Sequence, residues 1–214
     1  MENVIYLLFV CIVAPLVLML ALLESKSRRT VGFMIIGMFL CVFVSEINGL
    51  LNNILGMDIY YVTTSVTPIV EEVVKAFPIL LYAFLFSDDR YELMSLAIAV
   101  GIGFAVLESS YILVGSVDNF SLFTAVVRGF GTGLMHGICT ATVGAGMSYV
   151  HKKKKLFYTG TFALLVTAII YHAIYNALVQ SAYSYIGYFM PIVTYIPIVY
   201  FGTKISEEKK KNNM

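Results

Sequence analysis

A chain of 214 residues that is 59% hydrophobic, with a mean hydropathy of +0.86, is too apolar for a water-soluble domain and reads as an integral membrane protein. Its net charge of +1 averages over a polarised molecule, and its lysine runs fit membrane topology and anionic headgroups rather than nucleic acid. The apolar runs are continuous, which excludes a transmembrane β-barrel with its alternating strands.

Seven runs of about 20 residues are each long enough to cross the hydrocarbon as a helix: 4–23, 31–51, 65–86, 93–114, 123–150, 156–179 and 187–203. The fold class expected is therefore an all-α bundle of about seven transmembrane helices forming one domain over 1–214, with a solvated tail at 204–214. The first run follows Met1-Glu2-Asn3, without a basic leader, and is expected to be an uncleaved anchor. In the second, Glu46 lies near the predicted outer end beside Asn48 and reads as interfacial. Cys11, Cys41 and Cys139 all fall in predicted spans without metal-type spacing, and read as small packing residues.

The four runs from 65 to 179 differ from the others in carrying ionisable groups. The third holds Glu71, Glu72 and Lys75; the fourth, Glu108; the fifth, Arg128 and His136; the sixth, His172 with Asn176. A charge at the centre of a membrane helix costs roughly 2.5–3.5 kcal/mol, so such residues pair, line a wet cavity or do chemistry. His151, next to four lysines, reads as surface.

Orientation follows from lysine and arginine. Of the 14, twelve lie at Lys26, Arg28, Arg29, Arg90, Lys152 to Lys155, Lys204 and Lys209 to Lys211, and the other two, Lys75 and Arg128, are within spans. The alternate segments 1–3, 52–64, 115–122 and 180–186 have none. That partition places the amino terminus outside and the carboxyl terminus in the cytoplasm.

Depth can be counted from each predicted cytoplasmic helix end. Glu72, Glu108, His136 and His172 then lie roughly 21, 24, 22 and 25 Å in, at about 1.5 Å per residue. Four helices thus place ionisable groups at one height, in the outer half of a core about 30 Å thick. The faces agree: Glu71 and Lys75 are i,i+4, Glu72 is i,i+3 from Lys75, and His172 and Asn176 are i,i+4. Arg128, Thr132, His136 and Thr140 form one polar row. Beside it runs Gly129, Gly133 and Gly137, a small-residue row expected to let a neighbouring helix come close; Gly101 and Gly103 are placed to do likewise before Glu108.

Peptide hydrolysis needs an activated water, a proton donor for the leaving amine and stabilisation of the oxyanion. Desolvated carboxylates, imidazoles and an amide such as Asn176 supply those parts. The expected catalytic set is Glu71, Glu72, Glu108, His136, His172 and Asn176, with Lys75 and Arg128 in support. Glu71, Glu72 and Glu108 against Lys75 and Arg128 leave one excess negative charge. A shared proton balances it, and so does a divalent metal such as zinc with bound hydroxide. The metal reading takes His136, His172 and Glu108 as ligands, with Glu72 or Glu71 activating water; a metal-free glutamate mechanism is the alternative.

These residues resemble those of the PrsW-type intramembrane proteases, in the superfamily that includes the type II CAAX-processing proteases. The matching elements are Glu71-Glu72-Val73-Val74-Lys75, Phe104 to Glu108, His136, and His172 to Asn176, in order and each within a predicted span. The CAAX branch has an arginine after its glutamate pair and a histidine ending its second motif, so Lys75 and Glu108 favour PrsW. The resemblance implies a cell-membrane peptidase that cuts a single-span, membrane-anchored anti-sigma factor on its extracytoplasmic side. Two other classes are weighed against it: a transporter or proton relay using the carboxylates, and a non-catalytic scaffold or immunity protein that binds partner helices through the glycine row.

Overall fold

The computed structural model describes residues 4–115 and 121–196, and these are helical almost throughout. The helices are α1 (Val4–Leu20), α2 (Ser25–Leu55), a single turn α3 (Ile59–Tyr61), α4 (Thr67–Leu85), α5 (Arg90–Gly115), α6 (Leu122–Met147) and α7 (Lys154–Val179). A π-helical turn, Val62–Val66, joins α3 to α4, and a further helical stretch covers 184–196. Six of the seven predicted runs are thus helices, and the seventh is helical as far as the described residues reach. The tail expected at 204–214 lies outside them.

Among the described residues four helices, within α2, α5, α6 and α7, are long and apolar enough to cross a membrane. Shorter α1 is 17 residues long and apolar, with Pro15 inside it. The 19-residue α4 carries Glu71, Glu72 and Lys75, and its sidedness explains how it can lie among the others. Its buried face is Pro68, Glu71, Glu72, Lys75, Ile79 and Tyr82, whereas Ile69, Val73, Phe77, Leu81 and Phe84 are exposed. Charges inward and large apolar groups outward is the reverse of a helix on a water-soluble protein. It is the arrangement that a hydrocarbon solvent demands. The chain is a multi-pass membrane protein.

Helix α5 is the axis of the bundle, with Leu93, Leu96, Ala97, Val100, Gly101, Gly103, Phe104 and Leu107 all buried. One apolar core joins it to α1 and α2 through Ile5, Val13, Met38, Val44, Phe104 and Leu107. A second joins it to α4, α6 and α7 through Ile79, Leu93, Val100, Met135, Val143, Ala168 and Tyr175. Glycines set how closely α5 approaches its neighbours. A Cβ on Gly37 would stand 2.1 Å from the Val100 carbonyl oxygen, and one on Gly103 would stand 2.0 Å from that of Met34. At Gly101 the nearest atom would be the His136 carbonyl oxygen, 2.5 Å away.

The glycine row of α6 does not behave as its spacing suggests. An added Cβ meets nothing within 4 Å at Gly129 or Gly133, and at Gly137 only the side chains of Ile102 and Ile98, at 3.8 and 3.9 Å. Small residues permit a close approach without requiring one. Ile98 and Ile102 stand over Gly137 alone, while the tight α5–α6 contacts are made elsewhere, by Gly101 of α5 against the His136 backbone and by Gly144 of α6 against Ala97 and Leu93.

At the predicted cytoplasmic end, Arg29 donates to Glu92 at 2.6 Å and to the Tyr82 hydroxyl at 2.8 Å, tying α2, α4 and α5 together. At the opposite end Gly56, with φ of 56°, stops α2 in the left-handed conformation that favours glycine. Asp58 then caps α3 by accepting from the amides of Tyr60 and Tyr61.

Candidate active site

The site starts from a backbone irregularity. Pro68 has no N–H, so the carbonyl of Thr63, next in register after the Thr67 N–H to Val62 bond, receives no helical hydrogen bond from it. The chain answers with the π-turn over Val62–Val66, and π-turns recur at functional sites. The freed carbonyl of Thr63 accepts from the Asn176 amide at 3.0 Å, which docks α7 against the entrance of α4. Asn176, expected to serve as an oxyanion donor, therefore spends one of its N–H groups holding the backbone.

One turn further into α4, four helices meet. Lys75 Nζ donates to Glu72 Oε1 at 2.7 Å and to His136 Nδ1 at 2.6 Å. His172 Nδ1 lies 2.8 Å from the same Glu72 oxygen, and His136 Nε2 lies 2.8 Å from Glu108 Oε2. Glu71 Oε2 is 3.8 Å from Lys75 Nζ, 3.9 Å from His136 Nδ1 and 3.8 Å from His172 Nε2. Glu71, Glu72, Lys75, His136 and His172 are all buried, with Lys75 and both histidines fully enclosed. The two imidazoles stand edge to face, centroids 4.9 Å apart. The meeting expected from depth counting is present.

The partners assign the imidazole protons. An ammonium can only donate, so His136 Nδ1 accepts from Lys75 and Nε2–H points at Glu108. Glu72 Oε1 accepts from Lys75 and from His172 Nδ1–H, which leaves the His172 Nε2 lone pair bare. Both that atom and Glu71 Oε2 are buried without a hydrogen-bond partner among the described residues. Two acceptors, 3.8 Å apart, face one another with no protein donor between them among the described residues. Such a pair is stabilised by a cation.

The donor set suits a metal. One ligand atom from each of Glu71, His136 and His172 lies within 4.8 Å of the others. Two imidazole nitrogens, one carboxylate oxygen and an open position are what catalytic zinc takes, with ligand bonds of about 2.0–2.2 Å. Each histidine's other nitrogen is fixed by a carboxylate, Glu72 for His172 and Glu108 for His136, and metal-binding histidines are held in that way. The geometry differs here from the sequence expectation of His136, His172 and Glu108 as ligands. Glu108 bonds the ring nitrogen of His136 that faces away from His172, and Glu71 occupies the place between the imidazoles. Depth counting leaves the glutamates of both helices eligible, and only the relative rotation of α4 and α5 decides.

Glu108 has a different surrounding. Its side chain is 23% exposed, and it lines a cavity of about 290 Å³ with Thr63, Arg128, Thr132, Tyr175 and Asn176. Thr132 and Tyr175 share a hydrogen bond of 2.9 Å on its wall. Arg128 reaches this cavity, not the imidazole cluster. Below the cluster, Ile79, Leu93, Val100, Val143 and Met147 fill the bundle with apolar groups.

A membrane-embedded helical bundle enclosing a two-histidine, one-carboxylate cluster, with a polar cavity at its edge, has the parts of an intramembrane hydrolase. The chain belongs to the PrsW family of intramembrane metalloproteases, whose match covers residues 25–201. No curated protein and no solved structure matches it.

Proposed function

We propose that this protein is a metal-dependent peptidase that cleaves a single-span membrane protein near the extracytoplasmic side of the cell membrane. By its resemblance, the substrate is an anti-sigma factor. The observation that carries the metal dependence is the facing pair of Glu71 Oε2 and His172 Nε2 at 3.8 Å, with His136 Nδ1 at 3.9 Å from the same oxygen.

Glu71, His136 and His172 hold the ion in this reading. When bound, the ion supplies Lewis acidity and a water acidified enough to act near neutral pH. The chain does the rest. Glu72 and Glu108 fix the two imidazoles by their outer nitrogens, so both lone pairs point at one place. Glu108, the site carboxylate that opens on the cavity, takes the proton of the attacking water and returns it to the leaving amine. Glu72 orients the ligands through Oε1, which Lys75 and His172 share, while its Oε2 has no partner among the described residues. Arg128, Thr132 and Tyr175 line the cavity where an unwound stretch of substrate backbone enters. The core of the proposed unit is 65–179.

The test is metal analysis of purified protein beside cleavage of co-expressed single-span proteins, with and without chelator. We expect about one divalent ion per chain and chelator-sensitive cleavage. Cleavage by protein stripped of metal would remove the metal reading, and parental rates in both Glu71→Gln and His172→Ala would remove the site.

A further inference from the structure

Lys75 has no part in the chemistry above, yet its charged side chain is fully enclosed, 0% exposed. Its Nζ touches His136 Nδ1 at 2.6 Å and Glu72 Oε1 at 2.7 Å, lies 3.8 Å from Glu71 Oε2, and stands 4.7 Å from the centre of the Phe104 ring. An ammonium donates in every one of its hydrogen bonds, so the bond to His136 consumes the Nδ1 lone pair. That lone pair is the one His136 would give to a metal, because its other nitrogen is held 2.8 Å from Glu108. Turning the ring to offer Nε2 instead would break a buried, charge-assisted hydrogen bond. One lone pair cannot serve two cations.

We propose that Lys75 is an internal competitor for the metal position: its ammonium occupies His136 Nδ1 in the metal-free chain and must withdraw onto Glu72 before the ion binds. This inference rests on the metal reading of the site given above. The lysine balances carboxylates that would otherwise repel one another in a low-dielectric interior while the site is empty. It leaves the loaded site with a lower affinity than the ligands alone would give. The move is short, because the bond to Glu72 and the Phe104 ring already lie beside it.

The experiment uses full-length protein in detergent, stripped of metal and titrated with Zn²⁺, and with Co²⁺ for its ligand-field spectrum. Lys75→Met is expected to bind Zn²⁺ about ten-fold or more tightly than the parent, since a unit charge beside the site is gone. The metal-free variant should unfold at a lower temperature than the metal-free parent, and zinc should restore it. Lys75→Arg, which keeps the charge, should bind no more tightly than the parent. Equal or weaker zinc binding by Lys75→Met overturns the inference while leaving the metal reading standing. A parent that binds neither ion overturns both. If Lys75→Met does not fold, the parent labelled with ¹³Cε-lysine decides: the Lys75 resonance, assigned by its loss in Lys75→Arg, must shift on adding zinc, and an unmoved signal overturns the inference.

Discussion

Gly101 of α5 presses against the backbone of His136 in α6, so closely that a Cβ there would stand 2.5 Å from the carbonyl oxygen and 2.9 Å from Thr140 Oγ1. Close contact at this point sets the height and rotation of an imidazole whose two nitrogens are both engaged. Gly101→Ala should therefore separate α5 from α6, cost about 1–3 kcal/mol and lower metal occupancy with it. Gly133→Ala, where an added Cβ meets nothing within 4 Å, serves as the control and should change neither. Thermal unfolding and metal content of the two purified variants check the contrast, and equal effects at both glycines would refute it.

The carboxylates should separate by role in metal affinity. Glu71→Ala is expected to lose stoichiometric zinc. Glu72→Gln and Glu108→Gln, each of which disturbs a bond to the outer nitrogen of a histidine, should weaken zinc binding by about 10–100-fold without abolishing it. Competition against a chelator of known affinity measures all three. Loss of zinc from Glu108→Gln with retention by Glu71→Ala would restore the ligand set that the sequence alone favoured.

Asn176 distinguishes a scaffold from a catalyst. Its amide holds the Thr63 carbonyl at 3.0 Å, so Asn176→Ala should strand a backbone acceptor at the price of about 1–3 kcal/mol of stability. Cleavage per folded molecule should then stay within about ten-fold of the parent. An oxyanion donor would give the opposite pattern, with stability intact and turnover down by about 10²–10³. Measuring thermal stability and rate on the same preparation separates the two.

Topology has its own test. The lysine and arginine partition puts Asp58 outside and Lys153 inside. A membrane-impermeant thiol reagent applied to intact cells should label Asp58→Cys and spare Lys153→Cys, in a background with Cys11, Cys41 and Cys139 replaced. The reverse labelling would place the cavity beside Glu108 on the cytoplasmic side and move the proposed cut with it.

Much of the site was legible because membrane helices are long, straight and aligned. Under those conditions residue number converts to height, and Glu72, Glu108, His136 and His172 could be brought to one level by counting alone. Rotation about each helix axis is harder. Glu71 and Glu72 are neighbours in sequence, and only side-chain packing shows that Glu71 faces both imidazoles while Glu72 lies beneath His172 and Lys75. The π-turn was equally hidden, although Pro68 signals in retrospect that a carbonyl before it lacks its donor. The glycine row of α6 was read as a contact surface on spacing alone, when the contact depends on what the neighbouring helix presents; Ile98 and Ile102 present bulk there, and Gly101 presents a gap. Helix ends moved too. α2 begins at Ser25 rather than 31 because Lys26, Arg28 and Arg29 continue the helix beyond the hydrocarbon, and it ends only where Gly56 turns the chain.

The reversed sidedness of α4 bears on how the protein is made. A segment bearing Glu71, Glu72 and Lys75 does not partition into lipid unaided, since during synthesis its charges have only one another to bond until His136 and His172 have been translated. It must wait at the insertion machinery, or slip in late, escorted by α6 and α7. Nascent chains halted after Leu85 should leave α4 open to protease, and chains extended past Val179 should shelter it; the order of birth along this polypeptide is then not the order of entry into the bilayer.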